Sequence, residues 1–131
     1  MFSNYKVVIE PYSERHYIKS FQKKYKTHWD VTWRGLLEEL KRFDAILKET
    51  EIADEIVKNG QVVIWKIDFR VHGTKFSRKK SGNRMIVAVH ADTQTICVLL
   101  VFHKNDISSH NETATWKKMI REEYVEYSFC R

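Results

Sequence analysis

Residues 61–72, Q-V-V-I-W-K-I-D-F-R-V-H, change the period of the chain from helical to two, and the fold class follows from that change. Val63, Trp65, Ile67, Phe69 and Val71 fall on one side and Lys66, Asp68, Arg70 and His72 on the other, the alternation of a strand with one dry face. Downstream, M-I-V-A-V-H (85–90) and T-I-C-V-L-L-V-F-H (95–103), separated by an Asp92-Thr93 turn, read as two further strands. The last is apolar on both parities, so it belongs inside the sheet with cover on both faces. Between the first two lies a polar excursion from Gly73 to Asn83.

Upstream, Y-K-V-V-I-E (5–10) is β-branched and aromatic and stops at Pro11, which predicts an N-terminal strand. Ser13 is placed to cap a helix running to about Lys26, with Tyr17, Ile18, Phe21 and Tyr25 on one face. The back of that helix carries Lys19, Lys23, Lys24 and Lys26, either a simple solvated face or a second ridge of cations. A second helix is expected after Asp30 as cap, to about Glu49, with Trp33, Leu36, Leu37, Leu40, Phe43, Ile46 and Leu47 as its core stripe. Ile52, Ile56 and Val57 extend an apolar face through a shorter helix ending at Asn59-Gly60. A last helix, from about Glu112 to Tyr127, shows Trp116, Met119, Ile120 and Tyr124 on one side. The expected order is strand, two or three helices, three antiparallel strands, helix, in one α+β domain over 1–131.

The 131 residues are 43% hydrophobic and 13% aromatic, enough for a core and too many for a disordered chain. Charge is concentrated. Residues 66–84 hold seven basic side chains (Lys66, Arg70, Lys75, Arg78, Lys79, Lys80, Arg84) against Asp68, a net +6 that equals the net charge of the whole protein. The remainder therefore sums to zero, and the positive field is local. Clustered Lys and Arg with an aromatic among them, Phe76, suit a phosphate-bearing polymer whose bases stack. Cys97 and Cys130 stand far apart and read as free thiols in a reducing cytoplasm. No apolar run reaches the length of a membrane span, so a soluble cytoplasmic protein without membrane contact is expected.

The six histidines (His16, His28, His72, His90, His103, His110) form no metal-binding spacing, and the basic segment lacks the paired carboxylates of a two-metal nuclease. No phosphate-binding glycine loop is present. The chemistry that fits is metal-free cleavage of RNA, in which the 2′-hydroxyl is a built-in nucleophile and the protein aligns it, moves protons and neutralises charge. Lysine crowded by other cations releases its proton more readily, and arginine stays charged and clamps phosphate.

The runs K-F-S-R-K-K-S-G-N-R-M-I-V-A-V (75–89) and V-L-L-V-F-H-K-N-D (98–106), followed by a C-terminal helix, resemble the RelE/ParE superfamily of toxins from toxin–antitoxin systems. The resemblance implies a small RelE-like fold: a curved antiparallel sheet of one N-terminal strand plus three consecutive strands, with N-terminal helices packed on it and a C-terminal helix. Two features depart from the smallest members, a longer helical region at 30–59 and a C-terminal helix that runs past the usual catalytic end. It further implies a metal-independent mRNA endonuclease acting on the ribosome, without cofactor, held in check by a cognate antitoxin and leaving a cyclic 2′,3′-phosphate. By position, Arg84 resembles the arginine used on the scissile phosphate. Lys75, Arg78, Lys79 and Lys80 resemble the basic loop, and His103 or Lys104 the strand-end catalytic position. The expected catalytic set is Arg84, His103, Lys80 and Lys75; the expected RNA contacts are Lys66, Arg70, Lys75, Phe76, Arg78, Lys79, Lys80 and Lys104. Alternatives stay open: a ParE-like gyrase inhibitor, or an RNA-binding module without cleavage. Arg84 also has a structural explanation, an ion pair to Asp68 on the neighbouring strand, and His103 can be a satisfied edge residue.

Overall fold

The computed structural model describes residues 4–107 and 111–131; His110 lies outside them. Five strands form one mixed sheet in the order β1-β5-β4-β3-β2. They are β1 (Lys6–Ile9), β2 (Ala53–Asn59), β3 (Val62–Phe69), β4 (Asn83–His90) and β5 (Thr95–His103). β2 to β5 pair antiparallel in succession, and β1 runs parallel to β5. The α+β class and the three consecutive strands are as expected, and the N-terminal strand adds its edge in the parallel sense.

The helical segments run α1 (Pro11–Ser13), a π-helical turn (Glu14–Ile18), α2 (Lys19–Tyr25), α3 (Thr27–Lys41) and α4 (Phe43–Ile46), then α5 (Arg78–Ser81) and α6 (Glu112–Glu123). α2, α3 and α4 cover one face of the sheet. Phe21, Trp29, Leu36, Leu40, Phe43 and Leu47 pack there against Trp65, Ile67, Phe69, Met85, Val87 and Val101. The other face takes α6 and the C-terminus: Trp116, Ile120, Tyr124 and Tyr127 lie over Ile64, Ile86, Leu100 and Phe102. No helix among the described residues is long and apolar enough to cross a membrane.

The largest correction concerns residues 52–59, expected to be helical. Residues 53–59 form the edge strand β2, which returns into β3 through a two-residue loop, Gly60-Gln61, since Asn59 pairs with Val62. Gly60 takes φ 62, the left-handed value that a two-residue hairpin turn asks of its first position. Asn-Gly stops helices and also turns hairpins, and Asp54, Glu55 and Lys58 hid the strand because edge strands carry charge that blocks further pairing. Three boundaries also move. Pro11, with no N–H and φ preset, opens the first helix, so Ser13 is buried inside it instead of capping it. Lys26 at φ 51 breaks the chain before α3, so Asp30 sits in the first turn and not at the cap. The last helix stops at Glu123, because Tyr124 turns extended and donates its hydroxyl to the Leu99 carbonyl at 2.8 Å.

That carbonyl belongs to a β-bulge. Ile86 pairs with Leu100 and Val87 with Val98, which leaves Leu99 as an extra residue in β5. Leu99 and Leu100 consequently both serve the α6 face, and the parity of everything after them in β5 is inverted.

Candidate functional site

β3 ends, β4 begins and β5 ends at one edge of the molecule, where Phe69 pairs with Asn83 and Asn83 with His103. The polar excursion leaves and re-enters the sheet here, and it is firmly fastened. Ser77 caps α5 by accepting the Lys80 N–H at 3.3 Å. The Ser81 hydroxyl lies 2.6 Å from the Phe69 carbonyl and 2.7 Å from that of Arg78, and its oxygen accepts the Asn83 N–H. Gly82 closes α5 at φ 81.

His103 is locked into this edge. Its Nδ1 accepts the Asn105 N–H at 3.0 Å, so the proton of the neutral ring resides on Nε2, which donates to the Ser81 carbonyl at 3.0 Å. The imidazole lies so near Gly82 that a Cβ there would fall 2.6 Å from Nε2. Both nitrogens thus serve the backbone, the satisfied edge residue that strand-end position allowed.

Arg84 lies on the opposite face. Its Nη1 stands 3.2 Å from Asp68 Oδ1 and its Nε 3.9 Å from Glu112 Oε2, with side chains only 12% and 6% exposed for Arg84 and Asp68. Burial pushes the Asp68 carboxyl up, and the charge of Arg84 pulls it part of the way back. The register pairing Asp68 with Arg84 matches the ion pair foreseen as the structural explanation. Arg84 and His103, which the resemblance puts in one catalytic set, project from opposite faces of the sheet, although both reach carbonyls of α5, that of Lys79 at 3.4 Å and that of Ser81 at 3.0 Å.

The remaining cations divide into two groups. Lys66 pairs with Asp54 at 3.7 Å and Arg78 with Glu39 at 2.9 Å. Arg70, Lys75, Lys79, Lys80 and Lys104 are exposed, and Phe76 stands 60% exposed among them.

On the His103 side a cleft of about 460 Å³ opens between α2, the excursion and the end of β5. Lys24 and Tyr25 form its helical wall, Thr74 and Phe76 its loop wall, and Asn83 and His103 part of its lining. Lys24 comes from the lysine ridge of α2. Asn83, which sequence reading passed over as the end of the polar excursion, is the group it missed: only 4% exposed, it has a sealed carboxamide oxygen with no hydrogen-bond partner among the described residues. Nothing in a Gly-Asn-Arg sequence announces that burial. Among the described residues no three His, Cys, Asp or Glu side chains gather to hold a metal ion.

No family model and no curated protein matches the chain. Among solved structures it is similar to a chain of the archaeal RelE–RelB complex from Pyrococcus horikoshii OT3, with a TM-score of 0.50 at 17% identity, over 79% of this chain and 99% of that one. The fold is RelE-like.

Proposed function

We propose that the protein is the toxin of a toxin–antitoxin pair and that it binds and cuts RNA without a metal ion. The observation that carries this reading is a cleft lined by Lys24 of α2, Phe76 of the excursion and His103 of β5, with the exposed Lys75 and Lys104 next in sequence to the last two. Exposed cations near a cleft that carries an exposed aromatic suit single-stranded RNA better than they suit a protein surface. The RelE-like fold supports the same reading, and the RelB chain of the archaeal complex suggests a small antitoxin as partner.

Cleavage needs the 2′-oxygen to attack phosphorus while the bond to the 5′-oxygen breaks, giving a 2′,3′-cyclic phosphate and a 5′-hydroxyl. One group takes the 2′-proton and another protonates the leaving oxygen. Of the four catalytic candidates, Lys75 and Lys80 stand exposed and without an ion-pair partner among the described residues, so they are the proton-transfer groups of this reading. Arg84 and His103 reach a phosphate only by breaking their present interactions.

That engagement favours a second reading, RNA binding without cleavage. One experiment separates the two. Purified protein is incubated with translating ribosomes and with free RNA in excess EDTA, and the RNA ends are analysed. Cyclic 2′,3′-phosphate ends that vanish in a Lys75→Ala/Lys80→Ala double variant support the nuclease. Inhibition of translation with intact mRNA supports the binder, and activity that requires added magnesium overturns the metal-free mechanism.

A further inference from the structure

Asn83 is the residue of the cleft that the fold leaves unserved. Its backbone N–H is taken by Ser81 Oγ, but its carboxamide oxygen is sealed from solvent with no hydrogen-bond partner among the described residues, and the residue is almost wholly buried. A buried amide left in that condition costs roughly 1–3 kcal/mol, so folding alone gives no reason to keep it. The terminal torsion of an asparagine side chain is soft, and rotation presents either its oxygen or its nitrogen to the cleft that it lines.

We infer that Asn83 is the base-reading group of a nucleobase pocket, a proposal that rests on the RNA reading above. The cleft at about 460 Å³ falls in the range that holds a small ligand. Its walls carry the rings of Phe21 and Tyr25 on one side and Phe76 on the other, so an unstacked base finds aromatic surface as it enters. Lys24, its amine 5.2 Å from the centre of the Tyr25 ring, stands at the same wall to take the phosphate that follows the base. A carboxamide carries one acceptor and two donors, and it pairs with a base edge that offers an N–H beside an acceptor. The ligand is therefore a single unstacked nucleotide read on its hydrogen-bonding edge, with Phe76 supplying stacking and Asn83 selectivity.

The test measures binding of fluorescent six-nucleotide single strands, of all four base compositions and of an abasic strand with equal charge, to wild type, Phe76→Ala and Asn83→Leu. Thermal unfolding of each variant is recorded alongside. Wild type is expected to bind the base-bearing strands roughly 5- to 150-fold tighter than the abasic strand, the range that base stacking supplies. Phe76→Ala, at an exposed position, folds normally and loses most of that advantage. Asn83→Leu keeps the advantage and loses discrimination among the four bases. Equal affinity of wild type for base-bearing and abasic strands overturns the pocket and leaves a backbone-only RNA binder. Undiminished discrimination in Asn83→Leu overturns the role of Asn83, and no binding of any strand overturns the RNA reading itself.

Discussion

The two faces of the sheet at its functional edge solve the same problem in opposite ways. Under α6, Arg84, Asp68 and Glu112 form a polar cluster whose charges answer one another in a nearly dry setting. Across the sheet, the Asn83 carboxamide oxygen is buried without a partner among the described residues, Lys24 lines an open cleft, and Lys75 stands exposed on the excursion. Closed charge is structure, and open charge is available to a ligand. The difference shows that the arginine most suggestive in sequence is committed to an ion pair, while an asparagine and scattered lysines are not.

The hardest way to break this contrast is to remove Arg84. Arg84→Met leaves the Asp68 carboxylate buried without its counter-charge, which is expected to cost about 3–5 kcal/mol in urea unfolding. The double variant Arg84→Met/Asp68→Leu is expected to recover most of that loss, since an apolar pair of similar volume replaces a buried ion pair at little cost. An Arg84→Met protein as stable as wild type would free Arg84 from its structural duty and return it to the catalytic set. The pH dependence sharpens the point. The folded carboxyl of Asp68 is raised above its ordinary value, so the folded state holds that proton more tightly and stability falls as pH rises through the window above the ordinary aspartate range. Asp68→Asn removes this contribution, and the stability of the variant relative to wild type is expected to grow as pH rises through that window.

Next in size is Gly82. An alanine there must adopt φ 81 and also place its Cβ 2.6 Å from the His103 ring, so Gly82→Ala is expected to cost at least the roughly 1–3 kcal/mol of a left-handed non-glycine residue. His103→Gln follows, at about 1–3 kcal/mol for the two backbone groups deprived of their partner. If His103 is purely structural, cleavage per folded molecule stays near wild type. A fall of roughly 10²- to 10⁴-fold with unchanged stability would instead mark it as an acid or base.

The same contrast explains what could be read from the sequence. The inner strands were legible because period two and strong β-formers agree there, and the stripe that runs from α3 through α4 was legible because Leu36, Leu40, Phe43 and Leu47 repeat at three and four. β2 was not, because an edge strand that is half exposed and charged has neither signature. The Asp68–Arg84 pair was within reach, since it needs only the register of neighbouring strands. The separation of Arg84 from His103 was not, and the bulge at Leu99 is the cause: counted without it, residue 103 falls on the α6 face beside Arg84. A strand apolar on both parities leaves no mark of such an inversion. The burial of Asn83 was equally silent, since it arises from α2 and the excursion closing over the start of β4.

The smallest expected change in stability comes with the sharpest change in function. Lys75 and Lys80 are exposed and unpaired among the described residues, so Lys75→Ala/Lys80→Ala should leave unfolding within about 0.5 kcal/mol of wild type. If both amines meet phosphates, the slope of log K against log salt for a single strand should flatten by roughly 0.7 for each phosphate that is no longer neutralised. Lys66→Met provides the comparison. Its amine is held at 3.7 Å from Asp54 over the α6 side of the sheet, so the salt slope should not change, although a charge of the same sign is removed from the same segment. Equal slopes for the two variants would mean that RNA senses only the net charge of residues 66–84. A flattened slope for the loop variant alone would place the strand along the excursion and not along β3, where Lys66 stands.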